Sequence, residues 1–411
     1  MSVESSHINI EYPRKKINTQ YFDNAFIAFG IFYAFKTSQL DYIDWTTAIK
    51  YVALLTSVGF SMLSVLHNFQ WTRFRTIGFL LLFFVSLYLR VAYKSNTLAS
   101  SMLILAAYNI PFSHIVRMCI RVLAIVWSIV LLALFLGLIE DRLYDRDLEL
   151  YGRSFAHDLG FKYYSCSYLG MGFVQCCLYL WRKRLSLLKV VFLIAFSYIF
   201  FLLFVTRLQL YTCAAFIVAI VLLPRIPKKL INNKLLASVA IIAYPLICFI
   251  LYYVSKYFIL YFFYDGYDEL NRAMSGRLRL NEEAFLRYDV TLWGNDLEFE
   301  TNIRNAKYYF FIDSGYVSTL LGDGLVFTCI ILLLYSILTY KIYKAKAYYL
   351  YIWILLYAIL NISNGFLVAI LENPILLLAF SDIKTIHDDY YALPIVNNRK
   401  PIMHLLKNGK E

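Results

Sequence analysis

Charge is scarce in this chain. Only 16% of its 411 residues are Asp, Glu, Lys or Arg, where a soluble domain carries about 25%. That shortfall excludes an ordinary soluble fold. Sustained alternation of apolar and polar residues is also missing, which argues against an outer-membrane barrel. There is no repeat of fixed period and no low-complexity tract. The seven cysteines are Cys119, Cys166, Cys176, Cys177, Cys213, Cys248 and Cys329. They have neither the spacing of a disulfide framework nor that of a zinc site, and all are expected to pack in or beside apolar segments. A phosphate-binding glycine loop, an HExxH helix and a convincing Ser-His-Asp order are all absent. No metal and no cofactor is expected. Residues 1–20 are polar, so no cleavable signal peptide is expected either.

What the chain has instead is apolar length. Hydrophobic residues make up 61% of it, aromatics 18%, and the mean hydropathy is +0.61. Apolar runs recur from end to end, each long enough to cross a hydrocarbon core of about 30 Å. The expected fold is all-α: a polytopic helical membrane protein with about twelve transmembrane helices. Residues 1–382 form a single membrane domain, and the polar stretch 383–411 is a tail. Residues 22–35 make a weak first span, and residues 97–115 a span broken at Asn109-Ile110-Pro111. The last apolar piece, residues 366–380, is interrupted by Glu372-Asn373-Pro374. Two loops stand out, a smaller acidic one at residues 139–165 and a large one at residues 264–315.

The net charge is +12. In a soluble protein that would suggest nucleic acid. Here the basic residues sit in short loops at residues 67–75, 117–121, 182–189, 224–234 and 341–346, so no nucleic-acid partner is expected. These loops alternate with loops rich in Asp and Glu. The positive-inside rule makes the basic set cytoplasmic, puts both chain ends inside, and turns the two acidic loops outward. Lys94 is the exception, since it falls outside by this count.

Three groups of residues could carry chemistry. Arg207 lies where one span ends and the next begins with almost no loop between them. Arginine at membrane depth is costly unless paired or wet, and its planar fork suits a phosphate. In the acidic loop, Arg153 and His157-Asp158 bring a cation, an imidazole and a carboxylate close together. In the large loop, Met274 to Arg287 is expected to form a short helix capped by Ser275. Its Glu283 and Arg287 stand at i,i+4, while Arg277 and Arg279 have no obvious partner. Arginines from three loops on one side suggest an anion near the outer membrane surface, such as a lipid-linked phosphate or diphosphate.

The order of these elements resembles the O-antigen and capsular polysaccharide polymerases (Wzy-type), relatives of the O-antigen ligases. Arg153 with His157-Asp158-Leu159-Gly160-Phe161 resembles that family's outer-loop Arg…Leu-Gly-Phe segment. Thr206-Arg207 stands where the family has a Thr-x-Ser-Arg-like element. Ser275-Gly276-Arg277 with Trp293-Gly294, and Asp313-Ser314-Gly315-Tyr316 with Leu320, Leu321 and Gly324, resemble its later motifs. The closing Asn364-Gly365…Glu372-Asn373-Pro374 also fits. The chain departs from the pattern at Tyr163-Tyr164-Ser165, where the family often has His-Pro-Asn, and in the contracted Thr206-Arg207.

The resemblance implies glycosyl transfer at the outer face of the bacterial cytoplasmic membrane. The substrate would be an oligosaccharide linked to undecaprenyl diphosphate, held among membrane lipid. A flippase and a chain-length regulator of the same pathway would be partners. Arg207 and Arg277 would hold the diphosphate, with Arg279 and Arg153 supporting, and His157 or Asp158 would accept the proton. A flippase-like transporter, a ligase-like transferase and a non-catalytic membrane component stay open as other readings.

Overall fold

The computed structural model describes residues 18–69, 71–148, 152–162, 165–182, 185–223, 233–261, 269, 271–272, 274, 276–299 and 310–381. Ser275, much of the large loop and the tail lie outside the described residues, as do the side chains of Arg153 and its neighbours in the acidic loop.

Helices dominate, as expected for a chain whose backbone polar groups find no water in hydrocarbon and must be satisfied within each segment. In order they are α1 (Gln20–Thr37), α2 (Asp44–Asn68), α3 (Arg73–Tyr93), α4 (Thr97–Ala106) and α5 (Phe112–Phe135). After a hairpin of β1 (Leu143–Leu148) and β2 (Gly152–His157) come α6 (Ser165–Trp181), α7 (Leu187–Phe204), α8 (Arg207–Leu222) and α9 (Lys234–Tyr261). The last are α10 (Arg277–Arg287), α11 (Gly315–Ser318), α12 (Gly324–Lys344) and α13 (Tyr348–Leu360). A π turn, Thr319–Asp323, joins α11 to α12, and a 3-10 turn, Pro374–Ala379, comes near the end.

Among the described residues, six stretches are long and apolar enough to cross a membrane: Asp44–Asn68, Arg75–Tyr93, Phe112–Phe135, Leu187–Phe204, Lys234–Tyr257 and Gly315–Lys344. The apolar helices α4, α8 and α13 are shorter. The chain is therefore a mostly helical membrane protein. Many aliphatic side chains face outward, among them Leu188, Val191, Ile194 and Leu202 of α7, as lipid contact requires.

Hydrogen bonds sort the elements into two ends. At one end Asn68 donates to the Asn18 carbonyl at 2.8 Å and Asp23 meets His114 at 2.6 Å. Arg75 donates to Tyr108 at 2.6 Å, and the neighbouring Asn109 N–H to the Phe380 carbonyl at 2.9 Å. The first and last described residues thus share an end with the basic α2–α3 turn. The other end gathers the C-terminus of α1, the hairpin, the α7–α8 turn, the described residues 291–299 of the large loop, and residues 361–365.

Four expectations need correction. The stretch expected as a weak first span is α1, and it is core: Phe22, Phe26, Phe29 and Phe32 are buried where it packs on α2 and α5. Hydropathy undervalues it because residues 22–35 are few for a span and include Asp23. Arg117 and Arg121 are not in a loop but within α5, which starts just after Pro111. Proline suits a helix start because its missing N–H is spare there. The acidic loop departs from the all-helical expectation. It folds as an antiparallel hairpin, with Leu143 opposite His157 and Asp147 opposite Arg153. Alternation over two six-residue strands is too brief to stand out among helical runs. Finally, six cysteines are buried as expected, but Cys329 is exposed.

The large loop returns to the bundle by laying Thr291 to Asn295 across the π turn. Leu325 N–H donates to the Thr291 carbonyl at 2.9 Å and Asn295 Nδ2 to the Leu321 carbonyl at 2.8 Å. Gly294, at φ +93, makes the crossing possible, because a Cβ there would collide with the Gly322 carbonyl. Gly294→Ala is expected to destabilise the loop by about 1–3 kcal/mol from backbone strain alone. Limited proteolysis of the purified protein should then cut near residues 290–299 faster than in the parent; an unchanged pattern would remove this role.

Candidate functional site

The α7–α8 turn is built by sequence details that a hydropathy profile does not register. Val205 takes left-handed backbone at φ +50 and its N–H donates to the Phe201 carbonyl at 2.7 Å. A β-branched residue there is an outlier, so neighbours must hold it. Val205 packs with Ala156 of the hairpin and Tyr144, and Thr206 shares a hydrogen bond with Ser167 of α6. The reversal places Arg207 at the first position of α8. Arg207 is partly buried, and its Nε is buried with no hydrogen-bond partner among the described residues. An unmet buried donor costs about 1–3 kcal/mol, more when charged. The α8 N-terminus adds positive potential beside it.

The hairpin places the two proton-acceptor candidates differently. Asp158 is 1% exposed. Its oxygens accept from the Arg142 and Gly160 N–H groups, each at 2.9 Å, and from Gln39 Nε2 at 3.1 Å. Burial raises its carboxyl above the ordinary range, although these donors work against the shift. Its geometry is that of a loop clasp joining β2 to the end of α1. His157 is more open, 39% exposed at its side chain, with Nδ1 at 2.5 Å from Asp141. Arg153 is described only through its backbone in β2.

On the large loop, α10 starts at Arg277 behind Gly276, which is left-handed at φ +80. The expected cap, Ser275, lies outside the described residues. Arg277 has a partner that spacing did not reveal: its Nε stands 3.3 Å from Asp313. Burial raises the Asp313 carboxyl and Arg277 opposes the rise. Arg279 is exposed, and its side chain has no partner among the described residues. Arg287 pairs with Glu283 at 2.6 Å, as the i,i+4 spacing suggests, and lies over Phe310 at 4.2 Å. Asp313 leads into Ser314-Gly315, and the Gly315 N–H donates to the Asn361 and Asn364 carbonyls at 2.9 and 3.0 Å. Two segments far apart in sequence, both singled out above, therefore meet directly.

Sequence reasoning missed a cavity of about 450 Å³ at this same end. It opens between the C-terminal half of α1, the α3–α4 turn, the residues after Gly294 and the π turn. Its polar lining includes Lys36, Ser95, Asn96, Asp323 and a second carboxylate, Asp296, and Phe32 and Phe299 are among its rings. Ser95 donates to Asp323 at 3.0 Å. Tyr33, also lining it, bonds Glu372. Near Lys36 the carboxylate of Asp41 is clasped by Lys50 and Lys162. Burial alone would raise Asp41, but the two lysines outweigh it and hold the carboxyl below its usual range. Signals existed for two of these groups: Lys36 closes an apolar run and Asp323 interrupts one, and a charge at such a place marks a site by default.

Among the described residues no group of three His, Cys, Asp or Glu side chains could hold a metal ion. Arg207 and Arg277 share no carboxylate among those residues; Asp313 is the partner of Arg277. Neither a family model, nor a curated protein, nor a solved structure matches the chain.

Proposed function

We propose that this chain is a polysaccharide polymerase of the bacterial cytoplasmic membrane. It transfers a growing glycan from undecaprenyl diphosphate to a lipid-linked oligosaccharide repeat unit at the outer face. The observation that carries this reading is Arg207, a partly buried guanidinium with an unmet Nε at a tight reversal between two apolar helices. A diphosphate anchored in the bilayer by its tail arrives at that depth. As the glycosidic bond breaks, the leaving diphosphate gains charge, and fixed guanidinium groups stabilise it without a metal. Arg277 holds the same diphosphate from the large loop, with Arg279 and Arg153 supporting.

Cells lacking the chain are expected to lose long glycan on gels and to accumulate single repeat units on the carrier at the outer face. In intact cells, with Cys329 first replaced by serine, a cysteine at Leu286, 80% exposed on α10, should react with an impermeant thiol reagent. Long glycan without the chain would overturn the activity, and labelling only after lysis would overturn the orientation. A transporter of the same lipid-linked oligosaccharide is the second reading, favoured by the break between α4 and α5 and by residues 361–381, which form no α-helix, since transporters build their sites from broken helices. It predicts accumulation on the cytoplasmic face instead.

A further inference from the structure

The polymerase reading leaves the proton of the attacking hydroxyl without a convincing acceptor. Asp158 has its oxygens taken by backbone and side-chain donors, and His157 is already engaged by Asp141. The cavity beside α1 offers what both lack. Asp323 lines it and meets one described donor, the Ser95 hydroxyl at 3.0 Å. Lys36 lines it too, and its ammonium makes no hydrogen bond or ion pair among the described residues. The two opposite charges share the cavity without bonding each other. A carboxylate that accepts and an ammonium that donates, set apart and flanked by Asn96 and the rings of Phe32 and Phe299, suit the neighbouring hydroxyls and apolar face of a sugar.

We propose that this cavity is the acceptor-sugar site and that Asp323 is the general base, an inference that rests on the polymerase reading. The acceptor O–H gives its proton to the Asp323 carboxylate as its oxygen bonds the anomeric carbon of the donor glycan. The bond from that carbon to the diphosphate breaks, and the lipid diphosphate leaves with the electron pair. Asp323 then returns its proton to water. The placement is coherent along the chain. Asp313, the partner of Arg277, and Asp323 bound one stretch, α11 with its π turn. Most of that stretch is helical, with a rise of about 1.5 Å per residue, so the two stand on the order of 15 Å apart along the chain. A sugar diphosphate with a side chain at each end can bridge that distance.

The test uses the full chain in membrane vesicles with its lipid-linked repeat unit. A general base typically contributes about 10²–10⁴ in rate. Asp323→Asn keeps the shape and the Ser95 contact, and is expected to slow chain growth at least 100-fold while removing the rise of rate with pH. His157→Gln is expected to keep that rise. An unaltered pH profile in Asp323→Asn, or its loss only in His157→Gln, would overturn the assignment. Occupancy is read separately. A cysteine at Asn96, in a chain whose Cys329 is serine, should be shielded from a charged thiol reagent by the isolated repeat-unit oligosaccharide. No shielding would overturn the acceptor site. Normal glycan in cells lacking the chain would instead sink the polymerase reading, so the two failures are distinguishable.

Discussion

Arg207→Ala is expected to insert and accumulate at the parent level yet to stop chain growth, leaving single repeat units on the lipid carrier. The reason lies in the turn. Val205-Thr206 reverses the chain in two residues, and its fixed points are Ala156 and Ser167, not Arg207. Truncating Arg207 therefore removes a buried donor that has no described partner to orphan, and the bundle should be no less stable. The cost falls on the reaction. Losing one preorganised donor to a developing anion takes about 10²–10³ from the rate. Glycan length on gels and the sidedness of the carrier-linked units are the measurements. Long glycan from Arg207→Ala at matched protein level would remove Arg207 from the site, and accumulation on the inner face would favour transport.

The sequence disclosed the class of fold and much of the candidate site, and the reasons it stopped there are physical. Apolar length identifies membrane helices because the bilayer imposes one simple requirement. It misjudges α1, whose phenylalanines are buried against protein, because hydropathy does not distinguish a protein neighbour from lipid. The basic residues at 67–75 and 341–346 do fall at one end of the bundle, mostly in the end turns of helices rather than in loops, and Arg117 and Arg121 lie inside α5 because Pro111 sets its boundary earlier. Arg207 could be singled out from position alone, since so tight a reversal pins it. Asp313 could not be assigned to Arg277, because that pairing depends on how the large loop folds back. The cavity was hidden for a similar reason. Lys36, Ser95 and Asp323 come from three distant segments, and only packing makes them neighbours.

Arg277 provides the sharper chemical test. Its ion pair with Asp313 is partly exposed on both sides, 24% and 31%, and such pairs contribute at most about 1 kcal/mol. Arg277→Ala should therefore leave the fold intact. It should also let Asp313 keep a proton to higher pH, since burial raises that carboxyl and the opposing cation is gone. If Arg277 only neutralised Asp313, Arg277→Lys would restore function, because an ammonium can face a carboxylate as well. A diphosphate makes a stricter demand: the planar fork reaches two oxygens at once, and lysine offers a point charge instead. Arg277→Lys is accordingly expected to fail nearly as badly as Arg277→Ala, each lowering the polymerisation rate by about 10²–10³. Asp313→Asn, which frees the fork without removing it, should be far milder. Full-length glycan from Arg277→Lys would mean that charge alone suffices, and the bidentate role would be lost. Equal loss in Asp313→Asn and Arg277→Ala would move the effect from the diphosphate to the ion pair, because only a structural role makes the two partners equivalent.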